Sequence, residues 1–124
     1  MIPDLKGVDP DDAFSIVPYE KGFTLLYYLE TLVGGPAEFE PFLKAYANKF
    51  KYQSINSNQW QEFLLSFFVS KANALNQVDW DTWFYTPGMP PFKPKYDLSL
   101  GVPSQELCDR WSAASDNDLS QFRS

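Results

Sequence analysis

Side chains able to do chemistry are few in this sequence and sit in three short stretches. In VPYEKGF, residues 17–23, a phenol, a carboxylate and an ammonium stand side by side as Tyr19, Glu20 and Lys21, at the mouth of an apolar run. A phenol is neutral at pH 7 and donates one directed hydrogen bond, which suits it to stabilise charge that exists only in a transition state. From the residues alone the plainer reading of Tyr19 is a helix-start or core tyrosine whose hydroxyl is satisfied locally. A surface or helix-end salt link is expected for both Glu20 and Lys21. In VDPDD, residues 8–12, Asp9, Asp11 and Asp12 supply carboxylates. Such a group can accept a proton or hydrogen bond from water, but acids leading into a helix are also favoured by its dipole. Cys108 is a lone thiol and reads as a small apolar residue on a helix beside Leu107 and Trp111. The chain has no histidine, which removes a Ser-His-Asp triad, a Cys-His pair and every histidine-bearing zinc site from it.

Composition narrows the partners. With 124 residues, 44% hydrophobic and 18% aromatic, the chain can fill the core of one modest domain. Its net charge of -6, from 16 acidic against 10 basic residues, opposes association with phosphate backbones, so nucleic acid is not an expected partner. No apolar run approaches the roughly 20 residues of a spanning helix, and MIPDLKGVDPDD contains no hydrophobic signal core, so no membrane insertion is expected. A cytoplasmic location follows as the expectation.

The elements that must position these residues are helical. KGFTLLYYLETLV, residues 21–33, is apolar on nearly every face and predicts a helix buried on most sides, stopped by Gly34-Gly35-Pro36. In AEFEPFLKAYANKF, Phe39, Phe42, Leu43, Tyr46 and Phe50 recur at helical spacing. Asn56 followed by Gln59 makes a capping box, and Trp60, Phe63, Leu64, Phe67 and Phe68 mark the stripe of a third helix. VDWDTWFY predicts a short helix, and TPGMPPFKPKYD an extended, polyproline-like connector. SQELCDRWSAAS opens a further helix. The apolar first helix and the solitary last one predict a segment of a larger protein.

Three longer stretches carry a resemblance. VDPDDAFSIVPYEKGFTLLYYLE, GGPAEFEPFLKAYANKFKYQSI and LNQVDWDTWFYTPGMPPFKPKYD resemble zinc aminopeptidases of the leukotriene A-4 hydrolase type, which have the gluzincin metallopeptidase fold. The likeness runs in order over essentially the whole chain. Aminopeptidase B shares VDPDD, PYEKGF and FLKAY, whereas GGPAEFEPF and LNQVDWDTW lean toward the leukotriene hydrolase branch.

The resemblance implies an all-α segment. Residues 1–85 would be the end of the helical lobe of a gluzincin catalytic domain, residues 86–98 a proline-rich linker, and residues 99–124 the start of an α-helical C-terminal domain. The family's Zn2+ is held by an H-E-x-x-H helix and a later glutamate upstream of this segment, so this chain is expected to bind no metal and to be inactive alone. The full-length enzyme would cleave peptides, with a lipid epoxide as a further substrate of the leukotriene hydrolase branch. The tyrosine matching Tyr19 donates a hydrogen bond to the oxygen of the tetrahedral intermediate, and Pro18 would stiffen its mounting. The aspartate matching Asp11 directs the epoxide hydrolase reaction, orienting the water that adds to the lipid chain, and is dispensable for peptide cleavage. Because aminopeptidase B, which has no such lipid role, also carries VDPDD, the motif leaves the lipid activity open. Phe14 departs from the vertebrate leukotriene hydrolase, which has a tyrosine there that lines the lipid site and reacts with the substrate during self-inactivation. Phenylalanine lacks that nucleophilic oxygen. The competing expectation is a non-catalytic helical interaction module descended from such an enzyme.

Overall fold

Six α-helices and two 3-10 turns account for the regular structure of the computed structural model, which describes residues 1–114. The end of the expected C-terminal segment, residues 115–124, lies outside the described residues. Among the described residues there is no strand, in keeping with the all-α expectation. The chain divides into two compact units, residues 1–94 and 95–124, so the break falls inside the expected connector.

The first unit begins with successive turns and enters α1, Val17–Val33, with Pro18 in its first turn. A proline is tolerated there because the first N–H groups of a helix have no partner within it. The helix ends at Gly34, whose φ of 117° and N–H to Glu30 carbonyl bond close the last turn in a left-handed conformation. Gly35 also has positive φ and donates to the same carbonyl at 2.8 Å, so this turn needs both glycines. Pro36 then starts α2, Pro36–Phe50. Pro41 lies within it on the exposed side and removes one ladder donor, yet the helix continues because Phe39 and Phe42 are buried on its other face.

The expected capping box is present at the start of α3, Ser57–Phe67. Asn56 Oδ1 accepts from Gln59 N at 3.0 Å, and Gln59 Oε1 accepts from Asn56 N at 3.0 Å. A 3-10 turn, Val69–Lys71, leads into the short α4, Ala72–Leu75, and α5 follows at Trp80–Phe84. Helix α1 packs on α2 and α4, and α2 packs on α3. Their shared core holds Leu25, Leu29 and Val33 of α1, Phe39 and Phe42 of α2, Leu64 of α3, Leu75 of α4 and Trp83 of α5. Met1 lies against this core, and the backbone nitrogens of Met1 and Ile2 both donate to Phe84 O at 2.8 Å.

Asp79 caps α5, accepting from Thr82 N at 3.0 Å and from Thr82 Oγ1 at 2.6 Å. The Thr82 hydroxyl, then its backbone N–H, hold the Asp79 carboxyl below its ordinary value of 3.8. Since the folded value lies under the unfolded one, the cap's contribution is complete above about pH 4 and is lost as pH falls through the folded value. Asparagine caps as well as aspartate but binds no proton in this range. Asp79→Asn is therefore expected to make the loss of stability below about pH 4 shallower, read by urea unfolding across that range. An unchanged slope would contradict the capping role.

One expectation is corrected here. Helix α1 starts at Val17, and within this unit only Lys21, Leu25, Leu29 and Val33 are buried, while Phe23 and Leu26 are exposed. One stripe at four-residue spacing seats the helix on its neighbours, with Tyr28 and Leu32 packed partly against the core, and leaves Phe23 and Leu26 facing outward. The proline-rich stretch has no regular structure, yet it does not run free of the helices. Phe92 lies 4.4 Å from the Tyr28 ring, centroid to centroid, and Pro94 is buried.

The second unit contains a 3-10 turn, Ser99–Gly101, and α6, Val102–Ala113. Gln105 Nε2 donates to Asp109 Oδ1 at 2.8 Å across one turn. Cys108 is exposed on this helix, as are Leu107 and Trp111, so the thiol is not part of a packed core.

Candidate functional site

The residues of interest gather where the opening turns meet α1. Asp11 N donates to Asp9 Oδ1 at 3.0 Å, a local turn in which the Asp9 carboxylate serves the backbone. Phe14 N donates to Asp11 O at 3.4 Å, which joins Asp11 to Phe14 through the main chain. Phe14 and Tyr19 then meet through their rings, at 6.4 Å between centroids and 59° between planes. That is within the range of aromatic pairs that prefer tilted over face-to-face contact. All three side chains are exposed, Phe14 at 72% and Tyr19 at 66%.

Tyr19 is thus neither a core residue nor one with its hydroxyl satisfied locally. Its backbone N–H closes the first turn onto Ile16 O at 3.0 Å, but no described residue accepts from its phenol. The side chain is held at the root and presents its donor outward. A group so mounted can give a hydrogen bond to something placed against this surface.

Lys21 is where the residues alone pointed to the wrong place. It is buried, with 4% of its surface exposed, and so does not lie in a surface salt link. Its Nζ donates to Thr86 O at 2.7 Å and to Thr82 O at 3.4 Å. These carbonyls lie in the last turn of α5 and just beyond it, where a helix leaves acceptors without intrahelical donors. A signal was available: Lys21 falls in phase with Leu25, Leu29 and Val33, the buried stripe of α1. Glu20 stays on the exposed side.

An open hollow of about 310 Å³ lies nearby, lined by Met1, Ile2, Ala13, Pro18, Tyr85 and Pro87 among others. Asp11, Phe14 and Tyr19 do not line it, so it is separate from the exposed tyrosine surface. The described residues contain no group of three or more side chains suited to hold a metal, and the sequence has no histidine. They do not fit a zinc site.

Residues 4–83 match the peptidase family M1 domain, a span that includes Asp11, Phe14, Tyr19 and Lys21 and most of the first unit. The chain belongs to peptidase family M1. Among M1 relatives, leukotriene A-4 hydrolase of Xenopus laevis is 48% identical over 122 residues, covering 98% of this chain and 20% of the relative. Leucine aminopeptidase 2 of Aspergillus clavatus is 53% identical over 114 residues, covering 90% and 18% respectively. The fold agrees with solved structures of leukotriene A-4 hydrolase. Native leukotriene A-4 hydrolase from Saccharomyces cerevisiae superposes with a TM-score of 0.84 at 43% identity, over 94% of this chain and 19% of that one. The yeast enzyme in complex with bestatin gives 0.78 at 49% identity, over 84% and 16%. The chain therefore spans about one fifth of the length of these M1 proteins.

Proposed function

We propose that this chain forms the helical end of the catalytic domain of an M1 aminopeptidase of the leukotriene A-4 hydrolase type, and that Tyr19 is its transition-state donor. The observation that carries this reading is the exposed phenol at the root of α1, with no described acceptor of its own. As a peptide carbonyl becomes tetrahedral, its oxygen gains charge, and the Tyr19 hydroxyl is a neutral donor able to meet it. The zinc of the full-length enzyme would be held by residues outside this chain, and would supply Lewis acidity there.

Phe14, in ring contact with Tyr19, forms part of the wall against which substrate lies. Asp11, exposed and tied to Phe14 through the backbone, is the carboxylate available to orient a water toward the chain of a lipid epoxide substrate. The exposed Phe23 and Leu26 of α1 are apolar surface for the rest of the catalytic domain to cover. The same exposed residues favour the second reading, a non-catalytic helical module that docks on a partner.

Assay of amino-acid anilide hydrolysis separates these. The full-length protein is expected to cleave alanine or arginine anilide, and the 124-residue chain to cleave none. Hydrolysis by the short chain, lost on chelation and on Tyr19→Phe, would overturn the proposal. An inactive full-length protein would transfer the case to the docking module.

A further inference from the structure

We infer that Lys21 is a positioning residue for Tyr19, clamping the first turns of α1 to the carbonyls that close α5. This rests on the reading of Tyr19 as the transition-state donor. The burial of an ammonium is costly unless its donors are used, and an apolar side chain would fit the same phase of the stripe, as Leu25, Leu29 and Val33 do. The charge is therefore retained for something leucine cannot do, which is to grip backbone.

The grip falls where α1 is otherwise weakly held. Its N-cap, Ile16, makes no side-chain capping bond, and Ile16, Val17 and Tyr19 are all exposed. Lys21 is the first buried residue of the helix, two positions after Tyr19. Its partners, Thr82 O and Thr86 O, lie 61 and 65 residues along the chain, on the segment that also receives the Met1 and Ile2 nitrogens at Phe84 O. The clamp thus ties the mounting of the phenol to the packed core through Trp83 and Phe84. A donor misplaced by about 1 Å costs on the order of a hundredfold in rate.

The test uses full-length enzyme with an amino-acid anilide, measuring kcat and KM for Lys21→Met and Lys21→Arg, each alone and combined with Tyr19→Phe. Lys21→Met keeps the stem and removes the donors. It is expected to lower kcat roughly 10- to 100-fold with KM within about threefold, and Lys21→Arg to restore part of the loss. In the Tyr19→Phe background Lys21→Met should add less than about twofold, because the group it positions is gone. An equal loss in both backgrounds would make Lys21 general structural support and overturn the inference, as would a kcat unchanged by Lys21→Met while Tyr19→Phe is severe. A Tyr19→Phe enzyme of full activity instead sinks the reading of Tyr19 itself. Should Lys21→Met fail to fold, Pro87→Gly frees the carbonyl of Thr86 from an exposed position. The same dependence on Tyr19 is then expected at smaller amplitude, and a loss independent of Tyr19 is the contrary result.

Discussion

Tyr19→Phe in the full-length enzyme is expected to lower kcat for peptide hydrolysis about a hundredfold to a thousandfold, or roughly 2.7–4 kcal/mol of transition-state stabilisation. The substitution deletes one hydroxyl. Because only a hydroxyl is removed and the ring contact with Phe14 is kept by phenylalanine, stability should change by no more than about 0.5 kcal/mol. KM should stay within a few-fold, since the lost hydrogen bond forms with an oxygen that is charged only in the transition state. Steady-state kinetics on an amino-acid anilide, with a thermal melt of the same preparation, decide the matter. A kcat within threefold of the parent contradicts the assignment.

The largest effect on stability is expected from Phe42→Ala. Phe42 is fully buried, and its ring centroid lies 5.4 Å from Phe39, 5.6 Å from each of Phe63, Phe67 and Phe68, and 6.4 Å from Trp60. It therefore joins α2 to α3 and to the turn that follows. Truncating such a residue costs roughly 3–5 kcal/mol, from lost burial together with the cavity left behind. Whole domains are stable by only about 5–15 kcal/mol, so the loss is a large fraction of the total and urea unfolding of the variant should show a markedly lower midpoint. Leu43, its neighbour in sequence, is 43% exposed, and Leu43→Ala should cost about 1 kcal/mol or less. Equal losses at the two positions would place the core elsewhere.

What could be read from the sequence was what is encoded locally. The Gly34-Gly35-Pro36 stop, the Asn56–Gln59 box and the aromatic stripe of α2 each lie within one or two turns of chain, and each is in the structure as expected. Periodicity puts Leu43 on the same face as Phe39 and Phe42, but it marks a face without saying where the partner ends, and Leu43 sits at that edge. The same limit applies to Phe23 and Leu26, which are apolar in sequence and exposed in this unit. Lys21 was misjudged because its acceptors are carbonyls far along the chain, and a carbonyl has no signature in the identity of Thr82 or Thr86. The docking of Phe92 on Tyr28 was hidden in the same way. Tyr19 stood out through its resemblance to a family motif, and the structure adds that its phenol is exposed.

The central claim, that the Tyr19 phenol meets the transition state, is tested most directly by a crystal structure of the full-length protein bound to a phosphinic dipeptide, whose tetrahedral oxygens imitate the reacting carbonyl. The expected result is Tyr19 Oη at roughly 2.5–3.0 Å from one of those oxygens, within hydrogen-bond range. A phenol turned away, with another donor or water at that oxygen, would contradict it.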